Sequence, residues 1–214
     1  YTNTQDRRFH AQTMSCPSCG PSLRFVNMDE QKNASGNQNP LDRTRRALKN
    51  GQIAAIKGVG GFHLGCDAMS KKAVAKLRSR KKRPDKPLAI MTPDLKTCRR
   101  ICHVNKKEEE LLNSPQAPIV LLEKRPDNPV ADNIAPSLQR LGVILAYTPL
   151  HIMLFQDEHM PPALVMTSCN RSEEPIAIRS NHVEENLRDI VDCMLDNDRK
   201  ILNRCDDSVV AFFN

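Results

Sequence analysis

Two cysteines near the start of the sequence have the spacing of a metal-binding pair. Cys16 and Cys19 stand in MSCPSCGPSL as a C-x₂-C pair followed directly by a glycine. A structural zinc ion takes four ligands, usually supplied as two such pairs, so this pair provides half of a zinc site. His10 could add a third ligand. Cys98 and Cys102 would share one helical face, although a cysteine inside an apolar face is more often a small buried hydrophobe.

A cluster of cations has the composition of a polyphosphate site. Lys81 and Arg83 stand in RSRKKRPDKPLAI, where Pro84 ends the preceding helix because the residue before a proline avoids the helical region. Residues 71–86 hold nine cations and one anion, a charge of 9 − 1 = +8, against +7 for the whole chain. Such a patch attracts phosphate, in a nucleotide or in nucleic acid. The alternative is a solvated helix face that happens to be basic.

Two further stretches follow apolar runs and carry residues that suit a ligand. VMTSCNRSEEPIAI, residues 165–178, runs from a predicted strand into Ser168 and Asn170. Polar side chains at strand ends often face ligands in α/β sheets, and an asparagine turn would explain them equally well. KGVGGFHLGCDA, residues 57–68, begins at Lys57 and contains four glycines. Glycine lets the backbone approach a ligand closely; a tight strand–turn–strand connection is the alternative.

The elements that must position these residues alternate in type along the chain. We predict helices over residues 40–51, 71–82, 94–102, 106–113 and 181–195, with Ser70 as the N-terminal cap of the second helix. We predict strands over residues 52–58, 86–92, 117–124, 142–147, 163–168, 200–203 and 208–213. This alternation indicates an α/β domain around a largely buried sheet.

Composition and length limit the class of protein. No apolar run approaches the length of a membrane-spanning helix, and no signal-peptide pattern is present, so we expect no membrane partner. The eight scattered cysteines do not form the framework of a secreted disulfide-rich protein, which favours a cytoplasmic location. The chain begins with Tyr rather than Met, and we interpret it as part of a longer protein.

The motifs together resemble those of a known family. LGCDA, then K-x-R-P with PLA soon after, then S-x-N behind an apolar strand, resemble YrdC-like domains. DRRFHAQ, CPSCGP, YTPLH, TSCNRSEEPI and NRCDDSVV resemble, more narrowly, the HypF family of hydrogenase maturation carbamoyltransferases, over nearly the whole chain. The resemblance implies an α/β fold: a YrdC-like twisted mixed sheet flanked by helices in an ATP-binding domain over residues 41–214. It also implies a small zinc-finger remnant over residues 1–27 and a linker or loop over 28–40.

The chemistry that the resemblance implies is the ATP-dependent formation of carbamoyl-adenylate, with release of pyrophosphate. Carbamate would come from carbamoyl phosphate, and another part of the parent protein would pass the carbamoyl group to the partner protein HypE. Lys81 and Arg83 match the family's K-x-R and would be catalytic through their hold on the phosphates. Ser168 and Asn170 match S-x-N and would hold the triphosphate or its Mg²⁺. The parent protein would bind Zn²⁺, with Cys16 and Cys19 as the surviving half of one site.

The resemblance suggests two more site residues, and the sequence differs from the family pattern at two positions. Lys57 could bind carbamate or phosphate, and Arg204 would close the site unless the two aspartates that follow it make a structural turn. Ala146 replaces a common proline, which changes the stiffness of its loop. Cys169 replaces a common glycine, which puts a side chain where the backbone would approach phosphate.

Two other functions stay open at this point. A threonylcarbamoyl-adenylate synthase for tRNA modification shares K-x-R and S-x-N, but the cysteine segment ahead of the domain argues against it. An RNA-binding module could use the basic segment. Single-strand binding relies on aromatic platforms, and residues 71–86 contain none, so this alternative means double-stranded RNA recognised by its shape.

Overall fold

The computed structural model describes residues 21–29 and 38–212. Within these residues, nine strands form one sheet: β1 Leu23–Asn27, β2 Ala54–Lys57, β3 Phe62–Asp67, β4 Ile90–Thr92, β5 Ile119–Glu123, β6 Arg140–Leu145, β7 Leu164–Ser168, β8 Cys193–Asn197 and β9 Val209–Val210. Their order across the sheet is β1-β8-β2-β3-β7-β4-β6-β5-β9. Five neighbouring pairs are antiparallel and three are parallel. The mixed sheet is therefore confirmed.

Helices cover both faces of the sheet. They are α1 Pro40–Lys49, α2 Lys71–Lys81, α3 Leu95–Ile101, α4 Lys106–Leu112, α5 Pro149–Phe155 and α6 Ser180–Asn186, with a short 3₁₀ helix at Asp132–Ile134. Along β2, Ala55 packs into one apolar cluster while Ala54 and Ile56 pack into the other. The first cluster includes residues of α2, α3, α4 and α6, and the second includes residues of α1 and α5. The strands between them are buried on both sides, as in other α/β sheets.

Local sequence signals set the ends of α2. Ser70 caps its N-terminus, because the Ser70 side chain accepts a hydrogen bond from the backbone N–H of Ala73. The helix ends at Lys81, and its C-terminal cap is Lys82, whose φ of 51° is left-handed, ahead of Pro84. The predicted cap is confirmed, and the turn at Lys82 directs the chain into the segment that carries Arg83.

The prediction for the C-terminal third is wrong in two places. The helix expected over 181–195 ends at Asn186, and Cys193–Asn197 is strand β8 instead. Residues 200–203, expected as a strand, are not in one. Strands β1 and β3 and helix α5 were not predicted as elements.

Strand β1 ties the first described residues to the domain. It pairs antiparallel with β8, from Leu23 opposite Asn197 to Asn27 opposite Cys193. Residues 23–27, which the sequence analysis grouped with the zinc-finger remnant, thus form an edge strand of the main sheet. Cys16, Cys19 and the first part of that remnant lie outside the described residues, as does most of the expected linker, so the division into units stays a prediction.

Among the described residues, no helix has both the length and the apolar composition needed to cross a membrane.

Candidate functional site

One buried lysine holds the end of β7 and the segment after it. Lys81, the last residue of α2, is 4% exposed. Its ammonium group donates to the backbone oxygen of Ser168, to the backbone oxygen of Asn170 at 3.0 Å and to the Asn170 side-chain oxygen at 2.7 Å. The Ser168 hydroxyl donates to the same side-chain oxygen at 2.9 Å. Three of the predicted site residues therefore form one connected unit.

Arg83 lies beside this unit and faces a cavity of about 410 Å³, which Lys86 and Ser168 also line. Its Nη1 donates to Thr167 Oγ1 at 3.2 Å and its Nη2 to the backbone oxygen of Pro87 at 2.8 Å. Its Nε is buried without a hydrogen-bond partner among the described residues. The structure thus places the K-x-R and S-x-N motifs side by side, and the roles of their residues stay predictions.

Strand residues form an apolar floor in the same cavity. The floor comes from β5, β6, β7 and the residues before β4: Leu88, Ala89, Ile119, Leu121, Gly142 and Met166. A Cβ atom at Gly142 would lie 2.9 Å from the Ile119 side chain, so glycine leaves room for Ile119 in the floor. A cavity with an apolar surface and a few convergent polar groups is typical of a small-molecule site.

The electrostatics of the cavity favour an anion. The pKa of Lys81 is lowered to about 8, first by burial and then by the charges of Arg83 and Lys86. Burial, followed by the charge of Arg78, also lowers the pKa of Arg83. An anionic ligand between these cations would oppose both shifts. Arg83 lines the cavity and Lys81 is bonded to its lining residue Ser168, and perturbed groups at a cavity are typical of functional sites.

Arg78 organises the segment that carries Arg83, and the sequence analysis did not select it. Its guanidinium donates to the backbone oxygens of Arg83, Pro84 and Lys86 at 2.9, 2.8 and 3.1 Å. It also donates to two backbone oxygens of the 3₁₀ helix at 2.6 and 2.9 Å. The available sequence signal was its position three residues before Lys81 in a predicted helix, which puts both on one face.

Lys57 lies outside this cavity. It is 8% exposed, donates to the backbone oxygen of Asn197 at 2.7 Å and forms an ion pair with Asp196 at 3.1 Å. It lines a separate cavity of about 420 Å³ together with Gly58 and Thr148. The structure does not bring Lys57 to the K-x-R and S-x-N motifs, so its expected contact with carbamate or phosphate gains no support from the geometry.

Arg204 also faces a different space. Its Nε donates to the backbone oxygen of Ile176 at 3.0 Å, and its side chain lines a neighbouring cavity of about 690 Å³. Ile176 lines both this cavity and the one at Arg83, so it separates Arg204 from the cation cluster. A role in closing the site stays a prediction for Arg204.

The glycine-rich stretch forms the tight connection between β2 and β3. The backbone N–H of Gly58 donates to the Gly61 oxygen at 2.8 Å, and the two strands pair antiparallel. A Cβ atom at Gly60 would lie 2.3 Å from the backbone oxygen of Cys205. Glycine at this position therefore lets the C-terminal segment 201–208 cross the hairpin.

Where the segment 201–208 crosses the hairpin, Asp207 contacts His63. Neither residue was predicted from the sequence as a site residue. The Nε2 atom of His63 lies 3.1 Å from Asp207 Oδ2, and Asp207 lines the cavity that holds Arg83. The two residues are 144 positions apart in the chain. No local spacing could reveal this pair.

The described cysteines outside the C-x₂-C pair are mostly buried. Burial raises the thiol pKa of Cys98 and of Cys102 to about 12, so both stay protonated in the apolar cluster. This supports the buried-hydrophobe interpretation rather than zinc ligation. Cys169 is likewise buried in that cluster, with its backbone N–H bonded to Phe62, so its side chain does not point into the cavity. Among the described residues, no cluster of three or more His, Cys, Asp or Glu could hold a metal ion.

Comparison with known proteins identifies the family. The Sua5/YciO/YrdC family model, described as telomere recombination, matches residues 46–214, and the HypF finger model matches residues 1–26. The chain therefore belongs to the Sua5/YciO/YrdC family, and the curated relatives that it matches are HypF carbamoyltransferases. It is 43% identical to carbamoyltransferase HypF of Rhodobacter capsulatus over 98% of the chain, and 48% identical to that of Synechocystis over 88% of the chain. It spans only about a quarter of their length, 27% and 24% respectively.

Solved structures agree with this assignment. A crystal structure of full-length HypF in the phosphate- and nucleotide-bound form matches with a TM-score of 0.88 and 45% identity, covering 99% of this chain and 27% of that one. The crystal structure of T. kodakarensis HypF matches with a TM-score of 0.90 and 41% identity, covering 100% and 28%. Sua5 of P. abyssi, in complex with L-threonine, matches with a TM-score of 0.71 at 19% identity over 81% of this chain and 51% of that one. That last likeness shows the fold alone.

Proposed function

We propose that this chain joins carbamate to ATP, forming carbamoyl-adenylate and releasing pyrophosphate. The observation that carries the proposal is that Arg83 and Ser168 line one cavity with an apolar floor, while Lys81 and Asn170 are hydrogen-bonded to Ser168 at its edge. The nucleotide named for the full-length HypF structure supports a nucleotide here as well. The names of the HypF relatives support a carbamoyl group as the part that is transferred.

The two regions of the cavity suit the two parts of ATP. The apolar floor provides apolar side chains against which an adenine base would pack. The triphosphate would lie against Arg83 and Lys86, whose side chains line the cavity. A guanidinium can bind phosphate through two parallel hydrogen bonds.

The reaction is a displacement at phosphorus between two anions. A carbamate oxygen attacks the α-phosphorus, a new phosphorus–oxygen bond forms, and the bond from that phosphorus to the bridging oxygen breaks as pyrophosphate leaves. No oxidant or reductant is needed. Because the reactants repel each other, the main tasks of the protein are to position them and to neutralise charge. The cations at the cavity perform the second task.

A magnesium ion carried with ATP would find oxygen donors here. The side-chain oxygen of Asn170 already accepts hydrogen bonds from Lys81 and Ser168, so this oxygen is engaged before any metal binds. Mg²⁺ usually keeps several waters and is held through substrate phosphates and one or two carboxylates. Asp206, which lines the cavity, is a carboxylate within reach. Zinc binding by Cys16 and Cys19 stays a prediction outside the described residues.

Exchange of radioactive pyrophosphate into ATP tests the proposed function. We expect exchange that depends on freshly dissolved ammonium carbamate. Sodium bicarbonate with L-threonine, the substrate pair of a threonylcarbamoyl-adenylate synthase, should give little. Exchange with threonine and not with carbamate would establish that alternative. ATP binding without exchange under any condition would reduce the proposal to nucleotide binding.

The longer protein sets the wider context. Transfer of the carbamoyl group to HypE, supply of carbamate from carbamoyl phosphate and a cytoplasmic location are proposals for the whole protein, because this chain spans about a quarter of its relatives. Each of these proposals requires an assay on the longer protein.

A further inference from the structure

The cation-rich cavity has carboxylates on its wall. Asp206 and Asp207 line it together with Arg83 and Lys86. A carboxylate repels the phosphates of a nucleotide, and the repulsion grows where water is partly excluded. A carboxylate at this position is therefore expected to bind a ligand group other than phosphate.

Asp207 is held in a defined position by His63. The Nε2 atom of His63 lies 3.1 Å from Asp207 Oδ2, and the side chains are 5% and 28% exposed. Burial raises the pKa of Asp207, but the hydrogen bond and the charge of His63 outweigh it, so the pKa is lowered and the carboxylate stays ionised at neutral pH. With Oδ2 accepting from His63, Oδ1 is free to accept from a ligand.

The sheet places this pair near Ser168 of the S-x-N motif. His63 on β3 stands directly opposite Ser168 on the antiparallel strand β7. Residues opposite each other in such a pair have Cβ atoms about 5 Å apart on the same face. The Asp207 carboxylate therefore lies near the S-x-N motif, and the backbone oxygen of the next residue, Ser208, accepts from the N–H of Ile119 at the floor.

We infer that Asp207 accepts an N–H of the carbamate amino group and so selects carbamate over other small acids, with His63 as its positioning residue. This inference rests on the proposed function. Among the reacting groups at the phosphate end, the carbamate amino group is a donor, while the ionised phosphates offer acceptors alone. A contact from Asp207 would turn the carboxylate of carbamate toward the cations and the α-phosphorus.

The amino group takes no part in the bond changes. Its nitrogen keeps both protons while a carbamate oxygen attacks phosphorus and pyrophosphate leaves. The protein can therefore recognise carbamate through this amino group throughout the reaction. Acetate has nearly the same shape but a methyl group in place of the amino group, and a site built to bind an N–H group rejects an analogue that lacks it.

Calorimetry with α,β-methylene-ATP and Mg²⁺ tests the inference without turnover. The full chain is first saturated with this analogue and then titrated with ammonium carbamate or ammonium acetate at the same pH. We expect tighter binding of carbamate than of acetate. Asp207→Asn, which keeps the shape but removes the charge, should reduce this preference about 10- to 100-fold, the loss of one charge-assisted hydrogen bond. Asp127→Asn, at an exposed carboxylate away from the cavity, is the matched control.

The role of His63 has its own readout. His63→Ala should reduce the preference for carbamate as Asp207→Asn does. His63→Gln retains an N–H donor that can reach the Asp207 carboxylate, and it should restore most of the preference. Recovery by glutamine would show that the donor matters rather than the packing of the ring.

The outcomes separate this inference from the proposed function. If the unmodified chain does not bind the nucleotide analogue, both are overturned. If it binds the analogue but shows no preference for carbamate, this inference alone is overturned. If Asp207→Asn weakens binding of the analogue with Mg²⁺ and leaves the preference unchanged, Asp207 is a magnesium or nucleotide contact, which also overturns it.

Discussion

The ammonium group of Lys81 is hydrogen-bonded to the S-x-N segment. An ammonium has three N–H donors, and the three oxygens that Lys81 contacts belong to Ser168 and Asn170. A phosphate could bind Lys81 by replacing the Asn170 side-chain oxygen, which would free that amide. If the Asn170 oxygen stays in place, Lys81 acts on the phosphate through its positive charge, without direct contact. Both arrangements require a protonated lysine.

The lowered pKa of Lys81 predicts that the proposed ATP binding depends on pH. In the free protein this pKa is about 8. Bound phosphate favours the charged form and raises the pKa, so affinity is full below pH 8 and falls as the pH rises through it. Between pH 7 and pH 9 we expect a loss of about tenfold, since one lysine in about ten stays charged at the higher pH. Calorimetric titrations at both pH values measure this.

Lys81→Arg provides the comparison for that profile. A guanidinium stays charged over the whole range, so the variant should lose little affinity between pH 7 and pH 9, whatever its absolute affinity. A flat profile in the unmodified protein would contradict a role for the Lys81 charge.

Arg83 is expected to contact phosphate directly, because its side chain lines the cavity. Arg83→Ala should weaken ATP binding by about 1.5–3 kcal/mol, the range for hydrogen bonds to charged groups. Lys72→Ala removes a charge from an exposed position of the same basic segment and should have little effect. Unchanged calorimetric affinity in Arg83→Ala would remove this residue from the site.

At the scale of elements, the segment from Arg83 to Pro87 depends on α2. Arg78 connects the helix to that segment and to the 3₁₀ helix through five hydrogen bonds to backbone oxygens. Arg78→Met should lower the free energy of unfolding by roughly 2–4 kcal/mol, because several buried oxygens lose their donor. It should also weaken ATP binding, although Arg78 does not line the cavity.

Urea denaturation and calorimetry measure the two effects of Arg78→Met. Arg100→Met makes the same chemical change at an exposed position of α3 and should leave both quantities nearly unchanged. A destabilised variant with full ATP affinity would show that the segment holds its shape without Arg78.

Elements with local signals could be predicted from the sequence. Helix α1 has a proline at its first position after Asn39, and α2 has its serine cap. The segment 181–195 misled the prediction because Val183, Leu187 and Ile190 have helical spacing. The chain nevertheless leaves the helix after Asn186 and enters β8, which is central enough to be flanked by both β1 and β2. Burial of β8 between these strands overrides local helical preference.

The residues of the candidate site also fall into those that local motifs could predict and those that they could not. The residues of K-x-R and S-x-N lie in two short motifs, and the sequence selected them. Arg78 and Asp207 were missed because their partners are up to 56 and 144 positions away. Lys57 was grouped with the motifs on its glycine-rich context, but the sheet turns it toward Asp196. Pairings at such distances depend on strand order, which the sequence did not determine.

At the scale of the whole molecule, much of the basic charge is already paired. Lys71 forms an ion pair with Asp132, and both Lys76 and Arg80 pair with Asp192. Arg78 and Lys81 are buried and bonded to oxygens of the protein. Among the described residues, the cations of the segment 71–86 without an ion pair or such burial are Lys72, Lys82, Arg83 and Lys86. The net charge of the segment is therefore larger than the number of cations that are available to bind a nucleic acid.

This distribution predicts weak binding to double-stranded RNA. Four available cations limit the number of neutralised phosphates, so the slope of log K against log salt should be no steeper than about −4. Fluorescence anisotropy with a labelled RNA duplex should show affinity on the order of 10⁻⁴ M, at the weak end of non-specific binding. ATP should displace the duplex, because Arg83 and Lys86 would serve both ligands. A slope near −7 with no competition from ATP would point to a separate RNA surface and revive the RNA-binding alternative.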